Sequence, residues 1–171
     1  MQQQLNIRLA TLKDIPQIMD LIADVVPLMI ASGNLQWDDK YPNPEVFEND
    51  IALNQLWVAE VEGTIAGITA ITTEQYPEYA QVGLDVNEEA IVTHRLAVIP
   101  HFRGKGIAAA LLIQAEHEAI KRGIGTLRVD TNTKNEATQK LFPKLGYTFL
   151  GEMGLEFRPG LRFYCYEKRL N

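Results

Sequence analysis

The segment Leu96-Ala-Val-Ile-Pro-His-Phe-Arg-Gly-Lys-Gly-Ile-Ala-Ala109 joins an apolar run to the start of a helical pattern through a glycine-containing turn. The free N–H groups and the dipole at the start of a helix attract anions, and phosphate groups bind at such positions. Gly104 and Gly106 carry no side chain that would keep a ligand away from the backbone. Arg103 and Lys105 add positive charge. The segment therefore predicts a phosphate-binding turn.

The pattern on both sides of this turn alternates between strands and helices. A strand is predicted over residues 90–99 and a helix over 106–122, because apolar residues recur there at helical spacing. The other predicted strands are 5–10, 56–61, 64–72, 126–130, 147–152 and 162–168, and the other helices follow a capping box at 11–14 and cover 44–54 and 135–145. Residues 74–89 fit either a loop or a frayed strand. We expect residues 1–171 to form a single α/β domain with a mixed sheet.

Composition excludes several classes of protein. The chain has 171 residues, 46% of them hydrophobic, and a formal net charge of -6, which disfavours nucleic-acid binding and suits a cationic acceptor. One cysteine, Cys165, excludes an internal disulfide and a cysteine-based zinc site. No run approaches the ~18 apolar residues of a membrane span, and the first residues do not resemble a signal peptide. We therefore expect a cytoplasmic protein without a membrane or nucleic-acid partner.

Two known phosphate-binding motifs compete for the turn. A P-loop is excluded, because no lysine has the required glycine spacing and following hydroxyl. A dinucleotide fingerprint fits better, since Gly104-x-Gly106-x-x-Ala109 is followed by Asp130 at the end of the next strand. Against it, the four residues Pro100 to Arg103 separate the strand from the first glycine. A hairpin also precedes the unit, and too little chain follows to complete a doubly wound sheet.

A family resemblance gives a third interpretation. Arg103-Gly-Lys-Gly-Ile-Ala108 resembles the Arg/Gln-x-x-Gly-x-Gly/Ala signature of the GNAT N-acetyltransferase superfamily, and Arg95-Leu-Ala-Val98 resembles the strand before it. The resemblance continues over nearly the whole chain, through Asp130-Thr131, Asn135, Leu141-Phe-Pro-Lys-Leu-Gly-Tyr147 and Tyr166-Glu-Lys168.

The resemblance implies a fold and a cosubstrate. The fold is a mixed, mostly antiparallel twisted sheet with a splayed central strand pair, flanked by helices, and acetyl-CoA lies in the opening; no metal is implied. The backbone of Leu96, Ala97 and Val98 is expected to pair with the pantetheine arm as an added strand does. The amides of Gly104, Lys105, Gly106, Ile107, Ala108 and Ala109 would hold the pyrophosphate beside Arg103, with Asn135 and Phe142 on the opposite wall.

Direct attack of an amine on the thioester requires a base. A lysine-like ammonium has a pKa of about 10.4, whereas the departing thiol lies near about 8.5 by analogy with cysteine. His94 is the candidate base, because regular strand alternation places it on the same face as Leu96. A wall residue with a satisfied ring N–H is the alternative interpretation of His94. Glu74 and Glu60 are weaker candidates acting through water.

The general acid and the acceptor site are less defined. Many family members have tyrosine where this chain has Phe142, so Tyr147 or Tyr164, water, or no acid at all would serve the departing thiolate. Trp37 and Tyr41 are expected to bind the acceptor by stacking or cation–π contact, with Asp38 and Asp39 attracting the amine. An equally supported alternative is that Trp37 packs in the core and that Asp38 and Asp39 lie on a solvated rim.

We expect an acetyl-CoA-dependent N-acetyltransferase that acts on a primary amine of a small molecule, peptide or protein by direct attack in a ternary complex. The alternative is a non-catalytic acyl-CoA-binding sensor, motivated by Phe142. A nicotinamide oxidoreductase is the third hypothesis, based on the Gly104 fingerprint. The sequence leaves homodimer formation open.

Overall fold

Seven strands form one sheet in the computed structural model, which describes residues 4–171. The strands are β1 (Leu5–Leu9), β2 (Leu56–Val61), β3 (Thr64–Thr72), β4 (Ile91–Val98), β5 (Thr126–Asn132), β6 (Thr148–Leu155) and β7 (Arg158–Arg169). Their order across the sheet is β1-β2-β3-β4-β5-β7-β6. Only β4 and β5 pair in parallel among these strands, and every other neighbouring pair is antiparallel. The predicted mixed, mostly antiparallel sheet is confirmed, and a doubly wound dinucleotide fold is excluded.

Four α-helices cover the two faces of the sheet. They are α1 (Ile15–Ala31), α2 (Pro44–Ala52), α3 (Ile107–Arg122) and α4 (Glu136–Lys144), with 3-10 turns at Leu12–Asp14, Pro77–Val82 and Pro100–Phe102. The predicted capping box is present at the 3-10 turn Leu12–Asp14 that leads into α1, since the Thr11 N–H donates to the Asp14 carboxylate at 2.7 Å. None of the helices within residues 4–171 has the length and apolar character needed to cross a bilayer.

Two parts of the chain differ from the sequence-based expectation. The undecided segment 74–89 contains a 3-10 turn, so it is neither a strand nor wholly irregular. β6 and β7 are longer than expected and meet in a tight hairpin in which Leu155 pairs with Arg158. Gly154, Pro159 and Gly160 lower the local strand propensity, and cross-strand pairing overrides it.

α3 approaches the sheet closely at a single glycine. A Cβ atom on Gly67 of β3 would lie 2.8 Å from Ile107 Cγ2, 3.1 Å from the Ala97 carbonyl oxygen and 3.2 Å from Leu111 Cδ1. Real Cβ atoms do not approach others this closely, so a side chain here would require the Ile107 side chain, the helix or the strand to move. Gly67 therefore fixes where α3 begins, and with it the position of the preceding turn.

Replacement of Gly67 by alanine tests this close packing. We expect Gly67→Ala to lower the free energy of unfolding by about 1–3 kcal/mol, the usual cost of overpacking. Gly125→Ala is the matched control, because its Cβ would meet no atom closer than 3.9 Å. Chemical denaturation of both variants gives the comparison, and equal stability would show that the helix has room at this point.

Candidate active site

A cleft opens in the middle of the sheet where β4 and β5 diverge. The two strands pair only at Ile91↔Leu127 and Val92↔Arg128. Beyond Val92, the edge of β4 that faces β5 therefore has no strand partner among the described residues. The gap continues into a cavity of about 740 Å³, within the size range of small-molecule sites. The predicted splayed strand pair is confirmed.

A β-bulge in β4 controls the direction of the side chains along this cleft. β3 pairs Ile68 with Ala97 and Ala70 with His94, so β4 has one extra residue between the two pairs. Arg95 lies in the bulge with a φ of 56°. A left-handed conformation costs a residue with a Cβ roughly 1–3 kcal/mol and needs support from its surroundings.

Arg95 receives that support from α2. Its Nε and Nη2 atoms donate to the two carboxylate oxygens of Asp50 at 2.7 and 2.6 Å. The Asp50 side chain is only 2% exposed, and Arg95 Nη1 also lies 3.4 Å from the Tyr41 hydroxyl. Because both partners are mostly buried and the bond is bidentate, the pair holds the bulge in a fixed geometry.

The bulge makes one expectation from the sequence wrong. Regular alternation predicted His94 and Leu96 on the same face of β4. In the structure the His94 ring packs edge-on against Tyr76, 5.0 Å between centroids, whereas Leu96 packs with the cluster that includes Leu112 of α3. The extra residue reverses the alternation, so His94 faces away from α3.

The turn before α3 presents free amide groups to the cavity. Gly104 and Gly106 have φ values of 77° and 78°, which a glycine adopts readily. The first backbone bond of the helix region is from Ala110 N–H to the Gly106 carbonyl, and no side chain caps the helix. The N–H groups of Gly104 to Ala109 have no backbone acceptor within residues 4–171. They are free to bind an anion.

Most residues predicted for the cosubstrate line this cavity. They include Leu96, Ala97, Val98, Arg103, Gly104, Gly106, Ile107, Ala108, Ala109, Asn135 and Phe142. Lys105 does not line it; its Nζ lies over the Phe102 ring, 5.3 Å from the centroid. Three lysines near α4, which the sequence did not single out, add positive charge to the opposite wall: Lys134, Lys140 and Lys144.

His94 lies on the cavity wall on the face away from α3. Its Nε2 is 2.9 Å from the Glu74 carbonyl oxygen, so Nε2 carries the proton and donates. Burial lowers the pKa of His94 to about 4. The imidazole is therefore neutral near pH 7, with Nδ1 as its acceptor nitrogen.

Asp130 of β5 lies on the same cavity wall. Its Oδ2 accepts a hydrogen bond of 2.6 Å from the Tyr79 hydroxyl. Burial raises the pKa of Asp130 to about 6, close to neutral pH. Proton acceptors with such a pKa are effective general bases.

The two weaker candidate bases are placed differently. Glu74 contributes its carbonyl oxygen to His94, while the residue itself borders a separate shallow pocket beside Asp50. Glu60 accepts a hydrogen bond of 2.9 Å from Arg8 and does not line the main cavity. Neither carboxylate reaches the cleft directly.

The predicted acceptor residues occupy one end of the cavity. Trp37 is 4% exposed and packs in the core beneath α1, with part of it on the cavity wall. Tyr41 also lines the cavity, and its ring is covered by the Arg158 guanidinium at 5.2 Å. Asp38 caps its own turn by accepting from the N–H groups of Lys40 and Tyr41, which lowers the pKa of its carboxyl.

The two tyrosines considered as general acids lie outside the cavity wall. Phe142 is 1% exposed and packs against Tyr147 and Tyr166. The Tyr147 hydroxyl is buried without a hydrogen-bond partner among the described residues, and burial raises the pKa of this phenol. Tyr164 packs against Phe149. Within residues 4–171, no cluster of histidine, cysteine, aspartate and glutamate side chains is arranged to hold a metal ion.

The arrangement of cleft, turn and helix agrees with a known family. A model of the acetyltransferase (GNAT) family matches residues 23–147. The chain belongs to the GNAT acetyltransferase family. Within this GNAT fold, the divergent β4–β5 pair and the turn before α3 border the main cavity.

Individual proteins of similar sequence or fold agree with this family membership. An acetyltransferase of the GNAT family from Streptococcus agalactiae is 29% identical, with a TM-score of 0.78, covering 100% of this chain and 99% of that one. An N-acetyltransferase of Thermoplasma acidophilum in complex with coenzyme A, 18% identical, has the same fold, with a TM-score of 0.70 and coverage of 97% and 99%. The N-acetylaspartate synthetase of Danio rerio is 29% identical over 105 residues, 61% of this chain. That match spans only 33% of the relative.

Two residues of the acceptor end were missed in the sequence. Asp130 had a usable signal, since a polar residue at the end of a parallel strand often meets a ligand, but nothing in its local sequence indicates a catalytic role. Arg158 gave no local signal, because its place depends on the register of the β6–β7 hairpin. Both residues line the cavity.

Proposed function

We propose that this GNAT protein transfers the acetyl group of acetyl-CoA to a primary amine of a small molecule, peptide or protein, by direct attack with both substrates bound. The observation that carries the proposal is the turn with free N–H groups from Gly104 to Ala109. Amides at the start of a helix bind phosphate groups. The name of the Danio rerio relative specifies an N-acetylated compound, which agrees with an amine acceptor.

The residues of the cleft fit acetyl-CoA, which supplies the acetyl thioester. The unpaired edge of β4 at Leu96 to Val98 offers backbone groups to the pantetheine amides, as in strand addition. The free amides of Gly104 to Ala109 would hold the pyrophosphate. Gly104 and Gly106 have no side chain in the way, and the space beside them is open. Arg103 and the lysines of the opposite wall would balance the phosphate charge.

Asp130 and His94 divide the work on the acceptor amine in this proposal. Asp130, with its pKa near 6, is the better base for an ammonium group, because its pKa is closer to neutral pH than that of His94, about 4. His94 would orient the amine by accepting a hydrogen bond at Nδ1. The departing thiol has a pKa of about 8.5, so its thiolate can leave without being protonated by an acid. Phe142 in place of tyrosine is therefore compatible with turnover.

The sensor alternative is less supported. Membership in an acetyltransferase family and two proton acceptors on the wall of the cavity favour an enzyme. The single-domain organisation, the cytoplasmic location and homodimer formation stay predictions of the sequence.

Substitution of Gly106 tests the phosphate site. Gly106→Asp and Gly106→Asn both place a short side chain at a φ of 78°, a conformation that Asp and Asn tolerate better than other residues. Only the aspartate adds negative charge. We expect CoA affinity, measured by calorimetry, to be about tenfold or more weaker for Gly106→Asp than for Gly106→Asn, as charge repulsion of about 1.4 kcal/mol would give. Equal affinities would show that the phosphates of CoA do not bind at this turn.

The pH dependence of acetyl transfer tests the proposed base. The base must be unprotonated, so kcat/KM should fall as the pH drops below about 6, following Asp130. We expect Asp130→Asn to lower kcat about 100-fold or more, the usual contribution of a general base. His94→Gln should have a smaller effect and keep the limb near 6. Full activity in Asp130→Asn would contradict this assignment. A fall in kcat/KM near pH 4 that disappears in His94→Gln would identify His94 as the base instead.

Stability is the control for Asp130→Asn. Because the folded-state pKa of Asp130 is raised, the native protein holds this proton more tightly than the unfolded chain does, and stability falls as the pH rises through about 4 to 6. Asparagine does not ionise, so at pH 8 the free energy of unfolding of the variant should be no lower than that of the parent. A loss of activity with intact stability then reports chemistry.

A further inference from the structure

The arginines of the chain fall into two groups. Six of the eight make an ion pair with a carboxylate: Arg8, Arg95, Arg122, Arg128, Arg162 and Arg169. The remaining two, Arg103 and Arg158, make none within residues 4–171, and both line the main cavity. Arg103 belongs to the turn assigned to the pyrophosphate, so Arg158 is the cavity arginine of the acceptor end that forms no ion pair in the described part of the chain.

Arg158 is held in place by an aromatic ring. It opens β7 opposite Leu155, and its guanidinium carbon lies 5.2 Å from the centroid of the Tyr41 ring. Its Nε is buried and has no hydrogen-bond partner among the described residues. A buried donor without an acceptor is unfavourable, so an anionic ligand at this point would stabilise the site.

The neighbouring charged groups are already engaged. Asp38 is close enough for Arg158 to lower the pKa of its carboxyl, but the Asp38 side chain accepts from the Lys40 and Tyr41 N–H groups at 2.8 and 2.9 Å and forms no ion pair with Arg158. Arg95 is neutralised by Asp50. The positive charge of Arg158 therefore stays available to a ligand in the cavity.

The proton acceptors lie at a different point of the same wall. The ring centroids of His94 and Tyr76 are 5.0 Å apart, and those of Tyr76 and Phe157 are 5.3 Å apart. Phe157 directly precedes Arg158 in the chain. The acceptor end thus has a pole of proton acceptors, at His94 and Asp130, and a positively charged pole at Arg158.

From these two poles we infer that the acceptor is a small amine that also carries a carboxylate, such as a free amino acid. Its carboxylate binds the Arg158 guanidinium and its amine lies toward Asp130 and His94. This assignment rests on the proposed function, because it names the acceptor of that reaction. The planar guanidinium suits a carboxylate, since it can form two parallel hydrogen bonds. An acceptor without a carboxylate would leave the buried Nε unpaired and would be disfavoured.

Acetyl transfer to a matched panel of acceptors tests this inference. The panel contains the proteinogenic L-amino acids, β-alanine and γ-aminobutyrate, each beside its carboxamide, and release of free CoA from acetyl-CoA is followed with the full chain. At least one acid should be acetylated with a kcat/KM tenfold or more above that of its carboxamide. In Arg158→Gln we expect the KM for that acid to rise about 30-fold, on the scale of one charge-assisted contact, with little change in kcat.

Two further variants serve as controls. Arg158→Lys keeps the charge without the planar geometry and should give an intermediate KM. Arg162→Gln removes a half-exposed arginine of the same strand that pairs with Glu152, and should leave the KM unchanged. Carboxamide kinetics should not change in Arg158→Gln.

The outcomes separate this inference from the proposed function. Acetylation of the carboxamides as efficiently as the acids, equal losses for both in Arg158→Gln, or release of CoA with none of the acids would overturn the inference while amine acetylation stands. Failure of the parent protein to bind CoA in calorimetry would instead overturn the proposed function.

Discussion

The bidentate pair between Arg95 and Asp50 holds the distortion on which the rest of the site depends. The bulge increases the local twist of β4, and β4 pairs with β5 only at Ile91 and Val92. Arg95 adopts a φ of 56°, and the buried ion pair with α2 offsets this strain. The same bulge turns His94 away from α3 and toward the acceptor end of the cavity.

The cleft separates two electrostatic tasks. On the side of α3 and α4, free amides, Arg103 and three lysines form a region suited to phosphates. At the acceptor end, burial shifts the pKa values of His94 and Asp130 in opposite directions, and Arg158 forms no ion pair within residues 4–171. The net charge of -6 suggested a cationic acceptor, but the side chains on the cavity wall point to an acceptor with both charges. Net charge describes the whole surface and does not decide a single pocket.

Much of the fold could be predicted from the sequence, and so could the free amides from Gly104 to Ala109 on one side of the candidate site. These amides were predictable because a helix start and its glycines are properties of consecutive residues. The acceptor half was not, because it joins residues that are distant in the chain. Arg158 reaches Tyr41 only through the register of a hairpin, and the bulge at Arg95, which no local pattern indicates, reversed the face of His94.

A crystal structure of the protein with acetyl-CoA is the most direct measurement of the central claim. The account predicts pyrophosphate oxygens within about 3.2 Å of the backbone nitrogens between Gly104 and Ala109, and pantetheine amides paired with the open edge of β4 at Leu96 to Val98. Acetyl-CoA bound elsewhere, with these nitrogens unengaged and the cleft between β4 and β5 empty, would contradict it.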